Sequence, residues 1–387
     1  MKQLSVHSRM LVCGLLLLAS CRPTTERLSE ALKPAQEQFA PDKRIAVFRV
    51  FPEWHGNLLV VRGEVDNPAA KAEALRLLRV NTTAEIADSI IVLPDPDLGQ
   101  RHFGIVTVSV GNVRTKPDHP EELSTQVLMG MIVKVLKKQR GWLYVQSEDR
   151  YLGWLESESV VLVEQDGIDT WRSAPKVIVS DYFGMVRTRP ASGSLPVTDV
   201  VAGVLMKRGK KQKGWQKVML PDGREGFIEQ GRVEDYELWK RSRRFDGENI
   251  ERVSKMFLGV PYLWGGTSAK GFDCSGYTKT VFRLNGVELN RDANQQALMG
   301  EEVPITAEFD TFKKGDLLFF GRKASSEKPE RIWHVAISLG GREFIHCSGR
   351  VRINSLDASA PHFDSNRLNT LVRARRLVGL SYVPEVG

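Results

Sequence analysis

The residue with the clearest chemical potential is Cys274, which lies in the run Phe272-Asp273-Cys274-Ser275-Gly276. The residues from Cys274 to Leu284 have the character of a helix stopped by Gly286 at its C′ position. A sulfur at the start of a helix meets free backbone N–H groups and the positive end of the dipole, which favour a thiolate. A cysteine in that place is a nucleophile if a base reaches it. Two histidines qualify. His334 opens the alternating run His334-Val335-Ala336-Ile337-Ser338-Leu339, with an apolar face and a small-residue face that would line a cleft. His346 follows across Gly340 and Gly341, a plausible hairpin. Pairing Ser338 with Arg342 sets His334 opposite His346, where one imidazole can orient the other. The same register turns Cys347 away, so it reads as a core thiol. Zinc held by Asp273, Cys274, His334 and His346 is the competing chemistry, but close-spaced ligand pairs are missing. No metal or cofactor is expected, and no phosphate loop or dinucleotide fingerprint is present.

The elements that must position these groups are a mixture of helix and strand from about residue 244 to 380. Residues 247–258 read as a helix and 261–266 as a loop, and the nucleophile helix follows. Strands are expected at 316–320, 334–339, 343–347 and 370–377. A thiol-bearing helix followed by an antiparallel sheet with histidines is the layout of papain-like hydrolases. Five blocks, Tyr262–Gly266, Phe272–Gly276, Lys314–Phe320, His334–Leu339 and Phe344–Ser348, resemble the NlpC family of cell-wall cysteine peptidases, in order along the segment.

That resemblance implies Cys274 as nucleophile, His334 as base, His346 as its orienting partner and the Tyr262 hydroxyl as an oxyanion donor. The backbone N–H of Cys274 is a second donor on physical grounds. Asp273 is most simply an N-cap. In family members with SH3-like modules, the matching Asp also holds the free amine of the substrate's L-alanine. Its partners there map to Glu122 and Tyr151 here. Arg291 and Asp292 match a substrate-binding segment, in which a buried Arg would grip the D-glutamate α-carboxylate and Ser275 would add a hydroxyl. Ala293 stands where the family often has Ser. Asp316 is expected to be structural.

Upstream, Val113-Arg114-Thr115-Lys116-Pro117 recurs as Val186-Arg187-Thr188-Arg189-Pro190, and Gly141-Trp142 as Gly214-Trp215, both at an offset of 73 residues. These copies, 103–165 and 174–236, resemble bacterial SH3-like barrels. At the offsets of Glu122 and Tyr151 the second copy has Leu195 and Arg224, so the first copy alone is specialised. Residues 44–98 read as a β-β-α-β module that resembles BON-type modules, preceded by a polar tether at 21–43.

The first twenty residues carry Lys2 and Arg9, then an apolar run from Met10 to Ala19 and Leu18-Ala19-Ser20-Cys21. They read as a signal peptide whose end resembles a bacterial lipobox, with Cys21 as the acylated N-terminus. The expected location is therefore the cell envelope, on a lipid anchor. Arg22 after Cys21 leans toward an outer membrane, if the host has one. Removing Lys2 and Arg9 takes the formal charge from +8 to +6. That spread charge suits anionic wall polymers or headgroups rather than nucleic acid. With Cys13 discarded and Cys21 acylated, two thiols remain, too few for a disulfide framework.

The expected protein is thus a multidomain α+β chain: a small N-terminal module, two SH3-like β-barrels and a C-terminal papain-like catalytic domain. Its expected function is a monomeric cysteine endopeptidase acting on peptidoglycan stem peptides, cutting between γ-D-glutamate and the diamino acid, with preference for a free L-alanine amine. Alternatives are an amidase or acyltransferase on the same scaffold, or a non-catalytic wall-binding lipoprotein.

Overall fold

The computed structural model describes residues 22–379, so the expected signal peptide and Cys21 lie outside the described residues. Two compact units result, one of residues 47–92 with the segment before Pro41, the other of residues 42–46 and everything from Leu93.

In the smaller unit, strands Phe48–His55 and Leu58–Val65 pair antiparallel, and Ile86–Val92 joins Leu58–Val65 in parallel. Helix Pro68–Asn81, with Asn67 as N-cap and Pro at N1, makes the crossover that a parallel pair requires. The segment read as a tether with a little helix holds two short helices, Thr25–Ala31 and Lys33–Phe39. They bury Leu28, Leu32 and Ala35, and Leu28 and Leu32 join the core of the β-β-α-β module. The mostly polar composition hid three small or apolar contacts at helical spacing. The first strand also begins later than expected, which leaves Arg44 outside it.

The larger unit contains both barrels. Each has seven strands in the same neighbour order, and the 73-residue offset holds strand for strand: Val110–Arg114 with Phe183–Arg187, Leu123–Leu128 with Pro196–Val201, Ile132–Gln139 with Leu205–Gln212. Alternating valines and leucines fill each interior.

The catalytic segment is a six-stranded sheet ordered Glu301–Glu302, Leu371–Arg376, Leu317–Arg322, Arg331–Gly340, Glu343–Ser348 and Arg350–Ser355. The nucleophile helix spans Cys274–Leu284, capped by the Asp273 carboxylate on the Gly276 N–H. It packs in one core with Val335, Ile337, Ile345 and Cys347. A Cβ on Gly276 would stand 2.0 Å from the Gly266 carbonyl oxygen. Glycine there is what lets the helix sit against the loop before it. Asp316 is buried under Arg376, which donates to both its oxygens at 2.7 and 2.6 Å.

Two details of the histidine hairpin differ from expectation. Ser338 pairs with Phe344 rather than Arg342, across a tighter turn, so His346 lies diagonal to His334 instead of opposite. The slip is an even number of residues, so both histidines keep one face. Nor is that face open along its length. Ala336 packs with Phe320 and Phe344 in a second apolar cluster, and Ser338 is fully buried.

Candidate active site

Cys274 sits in the first turn of its helix with the backbone N–H groups of Ser275 and Val335 directed at its thiol. Val335 is the residue after His334, so the strand that carries the imidazole also touches the sulfur through its backbone. His334 is almost fully buried, and its Nε2 lies 2.8 Å from Nδ1 of His346, with the rings perpendicular. His346 Nε2 lies 3.1 Å from Asn354 Oδ1, and the Asn354 amide N–H donates to the His362 carbonyl at 3.0 Å. That last bond orients the amide and assigns the rest of the chain. Asn354 Oδ1 accepts from His346 Nε2–H, His346 Nδ1 accepts from His334 Nε2–H, and His334 Nδ1 is left as the free base. Asn354 lies on strand Arg350–Ser355, which was not expected. Its signal was the apolar pair Val351 and Ile353 alternating with Arg350, Arg352 and Asn354.

Burial favours the neutral form of both groups. Burial, and then the Asp273 carboxylate, push the Cys274 thiol up to about 12, outweighing the N–H groups of Val335 and Ser275. Burial, the neighbouring ring and the Arg367 and Arg352 charges lower His334 well below the ordinary imidazole value. His346 falls to about 3 for the same first reason, although Asn354 opposes it. The helix terminus, which favours a thiolate, does not outweigh these two effects. A partial dipole charge loses to complete desolvation and an adjacent carboxylate.

Cys274 opens into a cleft of ≈ 360 Å³ lined on one side by Tyr262, Trp264, Asp273, Arg291 and Asp292, and on the other by Glu122 and Tyr151. The cleft is thus shared between the catalytic segment and the first barrel. Tyr262 shares this lining with Cys274, and burial together with the thiol and Asp273 raises its pKa, so it keeps its proton. Glu122 accepts the Trp264 indole N–H at 2.6 Å. Tyr151 donates to Asp292 Oδ2 at 3.1 Å.

Two junctions hold the barrel wall in place. Gln126 Oε1 accepts from the Thr267 N–H at 3.0 Å and the Ser268 hydroxyl at 2.9 Å, pinning the strand that leads from Glu122. Gly265 has φ +78°, and a Cβ there would meet the Leu123 carbonyl oxygen at 2.2 Å. The Tyr151 loop is tied differently. Asp149 accepts from the Tyr151 N–H at 3.3 Å and the Ser147 hydroxyl at 2.5 Å, while Lys279, on the nucleophile helix, pairs with its other oxygen at 3.2 Å.

Arg291 is held among the side chains of the site. Its Nη2 meets Asp273 at 2.5 Å, Nη1 meets Asp273 and Ser275, and Nε donates to Thr125 at 3.0 Å, with 2% of the residue exposed. The guanidinium pairs with Asp273, the residue before the nucleophile. A cation that sequence reasoning passed over is also present: Arg44 lines the cleft and meets Asp292 at 2.6 Å. Cys347 is fully buried and donates its S–H to the Phe272 carbonyl, away from the cleft. Among the described residues, no group of three His, Cys, Asp or Glu side chains is arranged to hold a metal ion.

Comparison with known proteins gives a consistent picture. Residues 259–368 match the NlpC/P60 family, and residues 113–160 match the bacterial dipeptidyl-peptidase Sh3 domain. The chain is 32% identical over 232 residues to the γ-D-glutamyl-L-lysine dipeptidyl-peptidase of Bacillus subtilis, covering 58% of this chain and 72% of that protein. It is 28% identical over 281 residues to dipeptidyl-peptidase 6 of Lysinibacillus sphaericus, covering 69% of this chain and 96% of that protein. A crystal structure of an NlpC/P60 family protein from Bacillus cereus shares the fold at a TM-score of 0.60 and 24% identity, over 71% of this chain and 99% of that one.

Proposed function

The chain belongs to the NlpC/P60 family, and from that premise we propose that it is a cysteine endopeptidase cutting peptidoglycan stem peptides between γ-D-glutamate and the diamino acid. The observation that carries the reading is the neutral Cys274 thiol at the head of its helix, in a cleft served by the His334–His346–Asn354 relay. His334 Nδ1 takes the thiol proton as sulfur bonds to the γ-carbonyl carbon. The oxyanion receives the Cys274 N–H and the Tyr262 hydroxyl. Collapse breaks the C–N bond, and the proton passes from His334 to the departing amine. Water, deprotonated by the same imidazole, then releases the acyl group and restores the thiol.

The barrel wall sets the choice of peptide. Glu122, Tyr151 and Asp273 surround the place for an L-alanine ammonium, and Ser275 and Asp292 complete that end. A peptide whose alanine is still acylated brings no ammonium to these acidic groups and adds an acyl group at that end of the cleft, which disfavours it. The enzyme therefore acts on peptides already freed from the glycan, in remodelling or recycling. It works as a lipid-anchored monomer in the envelope, and Cys21→Ser would remove the anchor, read as loss of fatty-acid labelling.

Mass spectrometry of L-Ala-γ-D-Glu-diamino peptides, with and without an N-acetyl group, tests the reading. The free peptide should yield L-Ala-γ-D-Glu, the acetylated one at least ~100-fold more slowly, and Cys274→Ala neither product. Cleavage at another bond, or equal cleavage of both peptides, would refute the specificity.

A further inference from the structure

We propose that Trp333, Arg322 and Lys323 seat the departing half of the peptide and read a carboxylate at its C-terminal end. The inference rests on the peptidase reading above and adds to it a site for the residues beyond the cut bond. His334 returns its proton to the departing amine, so the chain beyond that bond must run past the imidazole. The residue beside His334 in sequence is Trp333, which is 47% exposed.

A β-bulge presents the indole. Phe320 pairs with His334 and Gly321 with Ile332, so Trp333 is the extra residue of its strand. A bulge next to a site re-aims the side chain it carries. Gly321 admits the distortion, since a Cβ on it would stand 2.1 Å from the Arg331 carbonyl oxygen. Trp333 thereby lines two hollows at once. One is the Cys274 cleft, and the other is a basin of ≈ 490 Å³ shared with Arg322, Lys323, Asn369 and Val372.

The basin is cationic at a cost to the fold. Arg322 and Arg331 stand directly opposite each other in the ladder, where like charges are destabilising. Both are exposed, as is Lys323. Glu330, next to Arg331 in the chain, is taken by Arg373 at 2.8 Å. Among the described residues, no carboxylate pairs with Arg322, Lys323 or Arg331. Arg322 Nη2 donates instead to the Pro329 carbonyl at 3.3 Å. An arriving carboxylate relieves the repulsion and gains charge-assisted bonds. The reach also fits. Arg322 lies two residues past Phe320, the partner of His334, which is about 7 Å along the sheet. About two extended peptide residues span that length. The carboxylate therefore ends the diamino acid or the residue after it, with the indole against the apolar stem of the diamino side chain.

The test gives the full-length chain three substrates that share L-Ala-γ-D-Glu. One is the p-nitroanilide, with no residue beyond the cut bond; the others are diamino acid-D-Ala peptides ending in a carboxylate or a carboxamide. Wild type should prefer the acid peptide by about 10-fold in kcat/KM, the low end for a charged hydrogen bond. Arg322→Gln combined with Lys323→Gln should bring the acid-to-amide ratio close to one, with the loss confined to the acid peptide. Trp333→Ala should cost both peptides about tenfold more than it costs the anilide. Equal wild-type rates on the two peptides would overturn the assignment. So would variants that slow all three substrates in proportion, because that marks residues serving only the fold. Failure of wild type to cleave any of the three would instead bring down the peptidase reading itself.

Discussion

At the scale of single residues, the site is governed by desolvation. Cys274 and His334 are both buried, and burial drives a thiol and an imidazole toward their neutral forms from opposite directions. Burial therefore favours the thiol and the neutral imidazole in the free enzyme. This has a measurable sign. A thiol raised to about 12 gains thiolate with every step in pH, so alkylation of Cys274 by iodoacetamide should climb about tenfold per pH unit from 7 to 10. A preformed ion pair would instead give a plateau across neutral pH, and that result would contradict the neutral pair. Arg291 shows the same physics. A buried carboxylate such as Asp273 persists only with a buried cation beside it, so the guanidinium sits with Asp273 and not with solvent.

At the scale of elements, the cleft depends on segments that bring no chemistry of their own. The histidine hairpin slips by an even step from the expected register and still presents both rings on one face. The loop before strand Leu152–Glu156 is less self-sufficient. Arg150 adopts φ +67°, and the loop is gathered around Asp149, whose charge is balanced by Lys279 of the nucleophile helix. Lys279 therefore acts as a positioning residue for Tyr151. Lys279→Met should raise KM for the free-amine peptide about tenfold while leaving kcat within about twofold, the pattern of lost uniform binding. A fall in kcat with unchanged KM would show that the lysine serves the nucleophile instead.

At the scale of the whole molecule, the proposed chemistry belongs to one segment and the proposed selectivity to its neighbours. Glu122 and Tyr151 come from the first barrel, and Arg44 from a stretch of five residues that interrupts the smaller unit in sequence. The second barrel repeats the first strand for strand but carries Leu195 and Arg224 at the offsets of Glu122 and Tyr151. A fragment of residues 244–387 would keep Cys274, His334, His346 and Asn354 yet lose that wall. It should cleave free and N-acetylated peptides with similar, low efficiency, at least ~100-fold below the full chain on the free peptide. Retained discrimination in that fragment, measured as the ratio of kcat/KM values, would show that the barrel is a spacer.

Much of this protein was set by local pattern. The repeat length, the helix that begins at Cys274, the strands of the two histidines and the burial of Cys347 follow from residue spacing, because periodicity and capping act over a few neighbours. Proton positions could not be read that way. They hang on Asn354, whose amide is oriented by a carbonyl on a separate loop. Nor could the surroundings of the two arginines, Arg291 buried against Asp273 and Arg44 part-exposed beside Asp292. Charge state and ligand access are properties of surroundings gathered from distant parts of the chain, and those surroundings exist only once it has folded.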